Sequence, residues 1–145
     1  MNECQLLELY GAGQPGQLPT GYTPGRTIPK PGRIGNNLSS GMARLTYWQG
    51  KFFESPTTMT NRMFGIKMGS GIITSGPSLH DGQPAHIIDY RDTSLLFRPF
   101  RDEFREVAPG IYLGRMYRVK DCQAKFMTWF AVDARKGCCE CWEPK

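Results

Sequence analysis

Ile111-Tyr112-Leu113-Gly114-Arg115-Met116-Tyr117-Arg118-Val119, a Lys120-Asp121 turn, and then Lys125-Phe126-Met127-Thr128-Trp129-Phe130-Ala131-Val132-Asp133 form the stretch that decides the fold. Both runs alternate with a period of two, the spacing of a β-strand. In the second run Phe126, Thr128, Phe130 and Val132 share one face, while Met127, Trp129 and Ala131 share the other. Both faces are apolar, so this strand is expected to be covered on both sides. In the first run Ile111, Leu113, Arg115, Tyr117 and Val119 oppose Tyr112, Gly114, Met116 and Arg118. An arginine within an otherwise apolar face either snorkels at a rim or faces an acid or an anionic ligand inside the fold.

Working outward, the same short β-rich runs recur at Ala43–Gln49, Lys51–Phe53, Asn61–Met68, Gly71–Thr74, Ala85–Tyr90, Leu95–Phe100 and Phe104–Val107. Gly69-Ser70-Gly71, Asp81-Gly82 and Pro109-Gly110 punctuate them as turn signals. Short strands without intervening amphipathic helices predict a mainly β fold, an antiparallel barrel of about eight strands. Ahead of it, Asn2 reads as the cap of a short helix whose apolar face is Leu6, Leu7, Leu9 and Tyr10 and which Gly11 can end. Residues 11–41 hold eight glycines and five prolines, which predicts an irregular wrap without a central strand. The expected organisation is therefore residues 1–42 as helix and wrap, 43–135 as barrel, and 136–145 as a cysteine-rich tail.

The chain has 145 residues, which suits one domain. Apolar runs such as Phe126–Val132 fall well short of the ~20 residues of a membrane span. Met1–Tyr10 carries Glu3 and Glu8 and reads unlike a signal peptide, so a cytoplasmic location is expected. The formal net charge is +5, but the bases are scattered and often sit beside acids, as at Arg91-Asp92, Arg101-Asp102 and Arg105-Glu106. That pattern argues against nucleic acid as a partner. Four of the five cysteines, Cys122, Cys138, Cys139 and Cys141, crowd the last 24 residues. They lack the paired knuckles of a structural zinc site, so reduced thiols and no metal are expected.

Gly11-Ala12-Gly13-Gln14-Pro15-Gly16 matches a dinucleotide-binding fingerprint by letter, but Gln17-Leu18-Pro19-Thr20-Gly21 cannot continue as its helix. No cofactor is expected. Trp48-Gln49-Gly50-Lys51-Phe52-Phe53 is the aromatic cluster suited to closing one end of a small barrel, with the lysine capping it. Leu79–Tyr90 holds both histidines, His80 and His86, with Asp81 and Asp89. A histidine near an acid can act as a general base or a haem ligand, although a solvent-facing histidine is the plainer alternative. Arg98–Val107 is the densest charge cluster. On alternation, Asp102, Phe104 and Glu106 oppose Arg101, Glu103, Arg105 and Val107. A solvated outer face is the default, and an inward arginine pair would clamp a carboxylate.

Trp48-x-Gly50-Lys51-x-Phe53, Asp81-Gly82-x-Pro84, Asp89-Tyr90 and Arg101-Asp102-Glu103-x-Arg105-Glu106-Val107-x-Pro109-Gly110-x-Tyr112-Leu113-Gly114 together resemble small lipocalin-like, calycin-type proteins. Over residues 43–133 the chain is also distantly similar to the GXWXG/DUF4334 proteins, with Thr46 standing where those open on glycine. The resemblance implies a barrel. The leading function expected is binding of a small, largely apolar ligand with an anionic group inside it. Trp48, Phe53, Phe64, Ile88, Leu113, Phe126 and Phe130 would supply apolar wall, Arg101, Arg105 or Arg115 would hold the acid, and Tyr117 or Tyr90 would hydrogen-bond it. The alternative is a cofactor-independent lyase, isomerase or decarboxylase, with His86, Glu103 or Tyr90 as the acid–base group. A third reading is a barrel filled by its own side chains.

Overall fold

Asn2 accepts a hydrogen bond from the Gln5 backbone while the Gln5 side chain accepts one from the Asn2 backbone, a capping box that starts helix α1 (Glu3–Ala12). The computed structural model describes residues 1–28 and 47–137. Ala43–Thr46 of the first expected strand and Cys138, Cys139 and Cys141 lie outside the described residues. Eight strands follow the helix: β1 (Gly21–Ile28), β2 (Trp48–Phe53), β3 (Thr58–Met63), β4 (Ile66–Pro77), β5 (Pro84–Asp89), β6 (Phe100–Ala108), β7 (Ile111–Lys120) and β8 (Gln123–Asp133). Each pairs antiparallel with its neighbour in sequence, and β1 also pairs with β8, closing the barrel. A short helix, α2 (Ala134–Gly137), follows β8.

The segment expected to be only a wrap contributes β1. Its proline and glycine are placed where each costs least. Pro24 is the last residue of β1 to pair with β2, and from Gly25 onward the strand pairs with β8. A missing N–H matters little at the end of a ladder. Gly25 leaves the space into which the Trp48 ring packs; an added Cβ would lie 2.5 Å from that ring. Residues ahead of β1 cross one end of the barrel. Gln14 pairs with Glu106, the Tyr112 hydroxyl donates to the Gln17 carbonyl, and the His86 ring nitrogen meets the Gly16 carbonyl at 2.9 Å.

Three further boundaries differ from the sequence reading. Asn61–Met68 is two strands, because Phe64 and Gly65 both take positive φ, 53° and 78°, and turn the chain through a two-residue hairpin. Gly69-Ser70-Gly71 does not break β4, since Gly69 is instead the extra residue of a bulge opposite β3. Leu95–Pro99 forms turns rather than a strand, with Phe97 folded back into the core.

Alternation gives the barrel two apolar layers. The inner one includes Phe53, Met59, Ile88, Phe104, Met116 and Phe130. The outer one lies beneath α1, where Leu6 and Tyr10 pack on Leu113 and Trp129. This second layer explains why both faces of β8 are apolar. Among the described residues no helix is long and apolar enough to cross a membrane.

Candidate functional site

Lys51 leaves β2 on the same inner face as Phe53, and its ammonium ends among three oxygens. Nζ lies 2.9 Å from Asn61 Oδ1, 3.1 Å from the Tyr90 hydroxyl and 2.7 Å from Asp102 Oδ2. The Tyr90 hydroxyl donates to Asp102 Oδ2 at 2.8 Å and accepts from Asn61 Nδ2 at 3.1 Å. Trp48 Nε1 donates to Asn61 Oδ1 at 3.0 Å. The four polar groups come from four different strands or their ends, and all are buried. Phe130 and Trp48 present ring faces to the ammonium at 5.0 and 5.3 Å from their centroids.

One atom of this cluster is left over. Asp102 Oδ1 is buried and has no hydrogen-bond partner among the described residues. Asp102 is also one of the residues lining a void of about 20 Å³, bounded by the four polar groups and by Trp48, Phe97, Met116 and Phe130. A space of that size admits roughly one water molecule. The wall contributed by Phe97 comes from a turn, whereas those of Trp48, Met116 and Phe130 come from paired strands.

Burial dominates the electrostatics here. It pushes the Lys51 ammonium below its ordinary pKa, against the pull of Asp102, because the low-dielectric interior penalises the charge. It pushes the Tyr90 phenol well above its ordinary range, helped by the negative field of Asp102. A buried ion pair seldom outperforms well-packed apolar residues in stability. Four polar groups converging inside an apolar barrel are therefore a costly way to fill it, which points to a use beyond packing.

The residues singled out from sequence divide between the two layers. Trp48, Phe130 and Tyr90 line the void, and Phe53 and Ile88 belong to the inner layer, whereas Leu113 and Phe126 pack in the outer layer beneath α1 and Phe64 is exposed at its hairpin. His86 also points inward, against the Phe104 ring, but stands at the end crossed by residues 13–18. Tyr90 lies four residues further along the chain, about 13 Å at the rise of a strand. Arg101, Glu103, Arg105, Arg115 and Tyr117 occupy the outer face, so the arginines do not form a clamp inside the barrel. Glu103 accepts from Ser78 Oγ at 2.7 Å, from the Leu79 backbone at 2.9 Å and from Arg101 Nη2 at 3.0 Å. Arg105 donates to both oxygens of Asp81 and to the carbonyls of Tyr10, Gln83 and Pro84, which uses all of its N–H groups. That pairing holds Asp81 down to about 2. Arg115 donates to the Tyr117 hydroxyl at 2.9 Å and lies over the Phe126 and Trp129 rings at 4.1 and 4.5 Å. These charges tie α1 and the 78–84 turn to the barrel wall.

Sequence reasoning missed Asn61 and Asp102 and took Lys51 only for a cap. The signal was present in the alternation: Asp102 falls on the Phe100 and Phe104 face of its strand, and Lys51 on the Phe53 face of another. One charge of each sign, each flanked on its own face by phenylalanine, is the mark of a buried pair.

No protein-family model matches the chain, and no curated protein matches it in sequence. Among solved structures it is similar to the crystal structure of a protein from Thermomonospora curvata. The two share 18% identity, the match covers 92% of this chain and 87% of the other, and the TM-score is 0.57. At that identity the similarity speaks for the barrel fold alone.

Proposed function

We propose that the barrel binds a small, largely apolar molecule whose single oxygenated head, a hydroxyl or a carbonyl, meets Lys51, Asn61, Tyr90 and Asp102. The observation that carries this reading is the buried, unpartnered Oδ1 of Asp102, a residue that lines a void walled by aromatic rings. An unsatisfied buried acceptor calls for a donor, which a hydroxyl or a bridging water supplies. The anionic head expected from sequence rested on arginines that lie outside the barrel, and a carboxylate next to Asp102 would add like-charge repulsion. Kinship with the lipocalin-like and GXWXG/DUF4334 proteins is part of the same reading, supported by the eight-strand barrel in which sequence neighbours pair.

The void holds about one water, so an occupant must displace a wall, and Phe97 is the cheapest to move because no ladder holds it. The enzymatic alternative keeps only Tyr90 at this void, with His86 at the opposite end and Glu103 on the outer face.

Hexanol and hexanoate separate the possibilities. In an NMR titration hexanol should shift the indole N–H signal of Trp48 and leave that of Trp129 in place. Hexanoate should bind at least about tenfold more weakly, since its charge must be desolvated beside an acid. Equal binding of the acid would overturn the neutral head, and movement of neither indole by hexanol would overturn the site.

A further inference from the structure

We propose that Lys51 captures aldehydes covalently, as a protonated imine. This inference rests on the cavity reading above and deepens it from a class of shape to a class of reaction.

The hydrogen-bond inventory carries it. Lys51 spends its three N–H bonds on Asn61 Oδ1, the Tyr90 oxygen and Asp102 Oδ2. A protonated imine keeps only one. In most buried sites that loss would strand two acceptors, at a cost for each. Here neither is stranded. Asn61 Oδ1 still accepts from Trp48 Nε1 at 3.0 Å, and the Tyr90 oxygen still accepts from Asn61 Nδ2 at 3.1 Å. The remaining N–H stays with Asp102 Oδ2, which also keeps the bond from Tyr90 at 2.8 Å.

The charges balance as well. Lys51 first passes a proton to Asp102 Oδ2, and the freed nitrogen lone pair attacks the aldehyde carbon. The carbonyl oxygen takes a proton from the Asp102 carboxyl to give a carbinolamine, whose hydroxyl can donate to the unpartnered Asp102 Oδ1. That hydroxyl leaves as water with a second nitrogen proton, relayed through Asp102 or Tyr90. In sum one ammonium and one aldehyde give one protonated imine and one water. The site begins and ends with a single positive charge on nitrogen beside a single carboxylate, so no uncompensated charge is created in the low-dielectric interior. No oxidant or reductant is needed. The aldehyde's chain would lie against Trp48, Phe130 and Met116 in the space opened by displacing Phe97, and the released water leaves by the route the aldehyde entered.

The test uses hexanal with cyanoborohydride, which reduces an imine to a stable secondary amine, read by intact mass and peptide mapping on the full chain. A saturated aldehyde avoids conjugate addition to the exposed Cys4 and Cys122. Lys51 should be labelled at least about tenfold faster than the exposed Lys67 and Lys120. The Lys51→Met/Asp102→Leu protein, which removes the pair together and avoids leaving one charge stranded, should lose that fast label and keep the slow ones. Labelling of Lys51 no faster than the exposed lysines, while hexanol still shifts the Trp48 indole, would overturn the covalent step and leave the cavity reading standing. Failure of both would overturn the two together.

Discussion

A lysine that is 2% exposed and an aspartate that is 3% exposed hold one another inside this protein. Their energetics are asymmetric. Removing one partner strands the other in an apolar surround, at a cost of about 3–5 kcal/mol, while replacing both with apolar groups is nearly neutral. Lys51→Met should therefore lower the free energy of urea unfolding by about 3–5 kcal/mol. Lys51→Met/Asp102→Leu should recover most of that loss. A double variant as unstable as the single one would mean that the pair is needed for folding itself. Asn61 and Tyr90 belong to the same unit, because each both donates and accepts within it. Arg105 of β6, by contrast, owes its order to the 78–84 turn and the end of α1, and Arg101 owes its order to Glu103 on the same strand.

At the scale of the element, the walls of the void depend on missing side chains. Phe130 of β8 lies directly across from Gly114 of β7, and a Cβ built at Gly114 would run into the Phe130 ring. Gly114→Ala should cost about 1–3 kcal/mol by overpacking, and it should also weaken hexanol binding, both measured on the same preparation. Unchanged binding in a destabilised variant would place the alcohol away from Phe130. The strands of the second half were readable in sequence because their alternation is long and their turns are chemically explicit, as at Pro109-Gly110 and Lys120-Asp121. β1 was not, because propensity argues against a strand at Tyr22–Gly25 and only barrel closure makes Pro24 and Gly25 tolerable there. Phe64-Gly65 was likewise hidden, since phenylalanine seldom takes positive φ and a hairpin is normally announced by Asn or Asp at that place. The site was half legible for the same reason. Trp48, Tyr90 and Phe130 stand out as aromatics on one face, whereas the inward sense of Asp102 depends on which side of β6 the helix covers.

For the whole molecule, buried phenols set the alkaline limit. Burial raises Tyr10 to about 12 from its ordinary 10.0, and raises Tyr90, Tyr112 and Tyr117 as well. Above pH 10 the unfolded chain releases these protons while the folded one keeps them, so unfolding is favoured progressively as pH rises. Stability should fall steadily from pH 10 toward 12 in denaturant titrations, and Tyr10→Phe should make that fall shallower. A profile that stays flat across this range would contradict the burial of these hydroxyls. At the acid end the sign reverses: Asp81, held to about 2 by Arg105, contributes stability that is present above its ordinary 3.8 and lost as pH drops through 2.

The switch of partners within β1 has a consequence for how the ring is assembled. Every other pairing joins strands adjacent in sequence. The ladder from Gly25–Ile28 to Trp129–Val132 joins segments separated by nearly the whole chain. It is a clasp whose entropy of closure falls due only when the two ends meet. The strand with the least intrinsic taste for β-structure is thus the one that closes the ring, and it does so beside Trp48, whose ring fills the notch at Gly25. Fastening the barrel and finishing a wall of its inner chamber are one event.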